Sequence, residues 1–160
     1  MRFPTHHARH LWRQLRLYAA AERYRIESAL RQRYSWYPGG SLGQAGERLA
    51  ERFLVSRGMV ILARQVRNEW GELDLIAVDD QVIVFVEVKT RRAGQIEEAI
   101  EAVTIAKQRQ IARLAAAYLK RHDLSDYSVR FDVVAIAWSP ELGLPPEIRQ
   151  LRHAFDASLL

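Results

Sequence analysis

Val82-Ile83-Val84-Phe85-Val86-Glu87-Val88-Lys89 carries valines at 82, 84, 86 and 88 on one alternating face, with Ile83 and Phe85 on the other. A strand apolar on both faces is central in its sheet and covered on both sides. The pattern predicts a strand over Gln81–Val88. Glu72–Val78 reads as a second strand, joined to it through a turn at Asp79-Asp80. Period two carries Glu87 and Lys89 onto the face of Ile83 and Phe85. A carboxylate at the end of a central strand is costly unless it is paired or bound to a cation. Asp74, inside Leu73-Asp74-Leu75-Ile76-Ala77, interrupts the second strand in the same way. Residues 74 and 87 are equally far from the turn, so the two acids are expected near each other across the hairpin.

Two neighbouring carboxylates and a lysine on one rim have a chemical use. Hard oxygen ligands in this number suit Mg²⁺ or Mn²⁺, which keep several waters and take one or two carboxylates plus substrate phosphate. Such a cation would relieve the repulsion between Asp74 and Glu87, polarise a scissile phosphate and lower the pKa of a bound water. Lys89 beside it could orient that water or offset charge on phosphorus. The alternative open at this point is a carboxylate pair neutralised by Lys89 and a neighbouring Arg.

Outward from the hairpin, Met59–Arg67 reads as a first strand. Ser41 is an expected N-cap for a helix running to Arg57, with Gly58 as its stop and Leu42, Ala45, Leu49, Phe53 and Leu54 as its apolar stripe. Gly43 and Gly46 inside that helix weaken it, which points to close packing or to space beside Glu47. Downstream, Gln95–Lys120 reads as one long helix with Ile100, Thr104, Lys107, Ile111, Leu114 and Tyr118 along a stripe. Ser128–Trp138 is a last strand, and the tail reads as a loop with a short terminal helix. The order α-β-β-β-α-β predicts an α/β fold, a mixed sheet flanked by helices.

The chain has 160 residues, 49% hydrophobic and 27% charged, the make-up of one ordinary globular domain. It has no cysteine, which excludes a disulfide framework, thiolate metal sites and a thiol nucleophile. That composition fits a reducing compartment, and a cytoplasmic location is expected. No apolar run approaches the roughly 20 residues of a membrane span, so no membrane partner is expected. Charge is uneven. Residues 1–38 hold eight Arg against Glu22 and Glu27, while the remainder has 16 basic and 17 acidic groups. Residues 9–33 read as an amphipathic helix, and Tyr34–Gly40 with its Pro and Gly marks a boundary. We therefore read a basic N-terminal extension, 1–38, before a domain at 39–160. Its Arg excess points to a polyanionic partner or to plain solvation. Trp36 and Tyr37 are candidates for base stacking or for docking the linker.

The spacing Asp74, twelve residues, then Glu87-Val88-Lys89, preceded by a helix bearing Glu47, resembles the PD-(D/E)xK nuclease signature. The order is similar to that of archaeal Holliday-junction resolvases and restriction endonucleases. Gly46-Glu47, Gly71-Glu72-Leu73-Asp74-Leu75-Ile76-Ala77, Val84-Phe85-Val86-Glu87-Val88-Lys89-Thr90-Arg91 and Arg130-Phe131-Asp132-Val133-Val134 together resemble the YraN family, small bacterial proteins regarded as endonucleases from a restriction-endonuclease-like fold. The likeness runs from about Leu42 to Trp138 and leaves residues 1–38 outside it. It implies Asp74 and Glu87 as metal-binding acids, Lys89 as the catalytic lysine, the Val88 backbone carbonyl as a further ligand, and Glu47 as an acid reaching the metal directly or through water. It also implies Mg²⁺ or Mn²⁺ as cofactor and DNA, branched or damaged, as substrate. Resolvase relatives act as symmetric dimers, so a homodimer is open, although no dimer seam is legible in the sequence.

Secondary candidates carry two readings each. Arg91 and Arg92 directly follow the catalytic strand and suit phosphate contacts, or plain solvation. Lys107 sits on an apolar stripe, where snorkelling to the surface is the common outcome and a place near substrate phosphate is the alternative. Glu72 reads as a solvent-facing strand end or as an extension of the acidic site, and Asp132 as the partner of Arg130 or Arg64 or as a support behind the metal ligands. His6, His7 and His10 are assigned no metal. The expected function is metal-dependent hydrolysis of phosphodiester bonds in DNA. The alternatives are a nucleic-acid-binding module that does not cut and a protein-interaction adaptor on the same scaffold.

Overall fold

A computed structural model describes residues 41–92, 96–101, 103–138 and 145–156. The readings made on residues 1–38, Trp36 and Tyr37 included, lie outside the described residues. Ser41 opens the first helix, α1 (Leu42–Ser56). Its hydroxyl accepts from the Gln44 backbone N–H, and the Gln44 side chain accepts from the Ser41 N–H. This reciprocal cap satisfies orphan donors at the helix start. Ala45, Leu49 and Leu54 are buried along its inner face. The chain leaves through Gly58 at φ 90°, a conformation that glycine adopts without penalty.

The elements that follow are β1 (Val60–Asn68), β2 (Gly71–Asp79), β3 (Val82–Arg91), α2 (Ile96–Glu101), α3 (Ile105–Arg121), β4 (Val129–Ala137) and β5 (Glu147–Phe155). The five strands form one sheet in the order β1-β2-β3-β4-β5. β3 and β4 run parallel and the other three pairings are antiparallel. A parallel pair needs a crossover, and the segment holding α2 and α3 supplies it. α1 packs on one sheet face over Leu75, Ala77, Val84, Val86, Val88 and Val134. α3 packs on the other over Ile76, Ile83, Phe85 and Phe131. β3 is therefore central and covered twice, as its two apolar faces require. This mixed α/β sheet flanked by helices is consistent with a restriction-endonuclease-like core.

Two expectations change. The helix read over Gln95–Lys120 is two helices. Thr104 takes an extended conformation (φ −63°, ψ 160°) and its hydroxyl accepts from the Lys107 N–H, so it caps α3 instead of continuing a helix. A Thr hydroxyl competes for backbone partners and favours such caps. The tail is not a loop with a helix but the strand β5. Its alternation is broken by His153 at φ 53° and by a register shift opposite Phe131–Val133. That bulge hides the period-two pattern. Phe155 still stacks on Phe131, with ring centroids 4.6 Å apart.

The bulge is held by Asp132, which is fully buried. Its Oδ1 accepts from Arg130 Nε at 2.9 Å and His153 N at 3.1 Å, and its Oδ2 from Gln150 Nε2 at 2.8 Å. Arg130 also reaches Asp79 Oδ2 at 2.9 Å, where Arg152 joins it at 2.7 Å. Asp132 is thus paired with Arg130, one of the two partners expected. Asp132→Ala leaves Arg130 and Gln150 short of a buried partner, and a broken buried pair costs about 3–5 kcal/mol. Urea unfolding should show a loss of that size.

Candidate functional site

β2 and β3 stay in register from Asp79↔Val82 to Leu75↔Val86. One step further the same register sets Asp74 opposite Glu87. There the carboxylate of Asp74 replaces a backbone acceptor: its Oδ2 takes the Val88 N–H at 2.7 Å. This bond fixes the Asp74 side chain against β3.

Glu87 is only 3% exposed. Its Oε1 lies 2.6 Å from Lys89 Nζ and 3.3 Å from Lys107 Nζ. Its Oε2 is buried and has no hydrogen-bond partner. One oxygen is thus shared by two ammonium groups and the other by none. Buried carboxylate oxygens are nearly always satisfied, so the orphan is informative. Asp74 responds to the same crowding. Its carboxyl is pushed up to about 7, first by burial and then by the negative charge of Glu87, with a smaller contribution from Glu47; the Val88 N–H and Lys107 oppose the rise. Burial and a like charge both disfavour ionisation.

Glu47 arrives from α1. Gly46 beside it is buried against β3, and a Cβ at that position would overlap Thr90 Oγ1. The glycine therefore permits the close approach that its place in the sequence suggested. Glu47 Oε2 accepts from Gln65 Nε2 at 2.9 Å. Gln65 has φ 48°, in the left-handed region. It lies between the pairs Arg64↔Leu75 and Val66↔Leu73, which sets it opposite Asp74. A non-glycine residue held in that conformation is a local strain of the kind that gathers at functional sites.

The structure thus brings together Asp74, Glu87, Lys89 and Lys107. Glu47 is close enough to bear on Asp74, but its carboxylate is engaged by Gln65. Among the described residues no three acidic or imidazole side chains converge closely enough to hold one ion together. The expected gathering of three acids is therefore a pair of acids with Glu47 beside it. Lys107 does not snorkel away; it turns onto Glu87 because a buried acid at the end of β3 needs a counter-charge. Arg91 and Arg92 are exposed at the end of β3. Glu72 pairs with Arg67 at 3.1 Å near the end of β2. Gln65 escaped the sequence reading, since a lone Gln on an edge strand carries no signal until its backbone angle and its opposite residue are known.

A family model described as "Uncharacterised protein family UPF0102" matches residues 46–136. That stretch contains Glu47, Asp74, Glu87, Lys89 and Lys107. A UPF0102 protein of Symbiobacterium thermophilum is 48% identical over 116 residues, covering 72% of this chain and 97% of the relative. A UPF0102 protein of Nocardia farcinica is 47% identical over 115 residues, covering 72% and 89%. One of Rhodococcus opacus is 46% identical over 115 residues, covering 72% and 96%. Identity at this level across nearly the whole length of these relatives means that the chain belongs to the family UPF0102.

Proposed function

We propose that this protein is a metal-dependent phosphodiesterase that acts on DNA. The observation that carries the reading is the acid pair on β2 and β3: a buried Glu87 and a half-buried Asp74 repel each other, and one oxygen of Glu87 has no partner. A divalent cation removes both penalties at once. The donor set is right for a hard cation, with oxygens from Asp74, Glu87 and the Val88 carbonyl and room in the coordination for water and phosphate. Glu47, held by Gln65, would act through a water. When bound, such an ion polarises the scissile phosphate and supplies a water acidic enough to attack at neutral pH.

The chain's own groups have distinct tasks. Lys107 and Lys89 grip Glu87 Oε1 and leave Oε2 without a partner. Lys89 is also the ammonium placed to offset the charge that gathers on the phosphoryl oxygens in the transition state. Asp74 is oriented by the Val88 N–H, so its second oxygen keeps a fixed direction. Arg91 and Arg92 stand beyond Lys89 on the same strand end and would meet the sugar–phosphate backbone. One observation favours a second reading, a module that binds nucleic acid without cutting: Glu87 already has two ammonium partners, as a purely structural acid would.

Protons and metal compete for Asp74. Its folded-state value near 7 is above the ordinary carboxylate value, so the folded chain holds the extra proton between roughly pH 4 and 7 and loses stability as pH rises through that window. Asp74→Asn should therefore raise the melting temperature at about pH 8 and leave it nearly unchanged only at about pH 3, below the unfolded carboxyl value. Mg²⁺ should raise the wild-type melting temperature at the higher pH only, and should not move the Asp74→Asn, Glu87→Gln double variant.

Cleavage is the direct test. Full-length protein with Mg²⁺ or Mn²⁺ should cut at least one of linear, forked, four-way or single-stranded DNA. Asp74→Asn, Glu87→Gln and Lys89→Ala should each lower the rate by about 100-fold or more while circular dichroism stays unchanged. A wild type inert on that panel with either metal would leave the non-cutting module.

A further inference from the structure

The hairpin between β1 and β2 ends in a tryptophan that the acid site does not use. Trp70 is 47% exposed, although a side chain of that size is usually well covered. It is held from both sides: its N–H donates to Asn68 Oδ1 at 2.9 Å, and its carbonyl accepts from Gln110 Nε2 of α3. Gly71, next in the chain, has φ +133°, and a Cβ there would overlap the Gln110 amide. The turn is thus shaped to sit on the helix, and its backbone is held on both sides of an indole that stays exposed. Trp70, Ala106, Arg109, Gln110 and Arg113 line an open groove of about 320 Å³ with no acid among them. Arg109 and Arg113 are exposed, and among the described residues neither has an ion-pair partner. Buried Lys–Glu contacts occupy the first turn of the same helix, where Lys107 meets Glu87.

We propose that this groove binds an unpaired nucleotide of a single-stranded DNA segment, its base stacked on Trp70 and its flanking phosphates met by Arg109 and Arg113. An exposed aromatic sharing a groove with two guanidiniums that have no ion-pair partner among the described residues is the combination that single-strand sites use. An intact duplex offers its phosphates but no free base face, so the groove selects substrates with unpaired nucleotides. The inference rests on the phosphodiesterase reading for its meaning, since Gly71 stands three residues along β2 from Asp74. That is roughly 10 Å at about 3.4 Å per strand residue, or about three stacked nucleotides at 3.4 Å each. The groove would therefore anchor the substrate a few nucleotides from the bond to be cut.

Binding in EDTA separates this inference from catalysis. Fluorescence anisotropy of the full chain with a labelled 20-nucleotide single strand and with its duplex gives two affinities. Trp70→Ala should weaken single-strand binding by about 5-fold or more and leave duplex binding within error, with Trp70→Phe close to wild type. Arg109→Ala combined with Arg113→Ala should lower the salt dependence of single-strand binding by roughly 0.7 per charge removed. If Trp70→Ala binds both ligands as wild type does, the groove is not a base site, whatever happens in the cleavage assay. If sedimentation shows wild type self-associating and Trp70→Ala monomeric with unchanged DNA affinity, the groove is a protein contact and the inference fails. If wild type binds the single strand as proposed yet cuts nothing with metal, the groove stands and the phosphodiesterase reading fails.

Discussion

At the point where β2 parts from β3, a carboxylate takes over from the backbone. Asp74 accepts the Val88 N–H at 2.7 Å, and in doing so it is drawn toward Glu87, the next acid on the opposite strand. Everything about the site follows from that crowding. Its own desolvation and the negative charge of Glu87 push the Asp74 carboxyl up to about 7. Glu87 recruits ammonium groups from its own strand and from α3. A central hairpin left to itself would continue with another backbone pair and apolar side chains; here the chain keeps one acid on each of two interior strands.

The rest of the molecule brings its elements to that point. Gly46 lets α1 lie close on Thr90, which carries Glu47 to the end of the sheet. The strained backbone of Gln65 turns its amide onto Glu47. The extended Thr104 starts α3 at the place where its first turn offers Lys107 to Glu87 and its second offers Gln110 to the carbonyl of Trp70. A single continuous helix over this region would have no reason to begin its turn count there. The break between α2 and α3 is therefore part of how the site is positioned.

The sequence is most readable where one rule acts alone. β3 is apolar on both faces, so its central place follows from period two, and the Asp79-Asp80 turn, with Asp80 at φ 57°, fixes which residues of β2 oppose it. The acid pair is legible for the same reason. What is hidden is set by partners far along the chain. β5 looks irregular because its bulge is stabilised by Asp132, two strands' worth of sequence away. Gln65 and Thr104 are read wrongly or not at all because their roles depend on backbone angles that residue type does not dictate. Lys107 is ambiguous on its helix alone, since inward and outward rotamers differ only by the presence of Glu87.

Two buried acids in one sheet are satisfied to different degrees, which allows them to be compared directly. Asp132 uses both oxygens: Arg130 and the His153 N–H share one, and Gln150 takes the other. Such an acid is closed, and its interactions tie β5 to β4. Glu87 is as deeply buried, yet both of its ammonium partners converge on one oxygen and the second oxygen faces none. Beside it stands another carboxylate that raises the electrostatic cost further. If Glu87 served only to hold the fold, replacing it with an apolar residue of similar size would relieve that cost. An unsatisfied acid pair on a scaffold able to satisfy acids fully is an arrangement that binding a cation would complete.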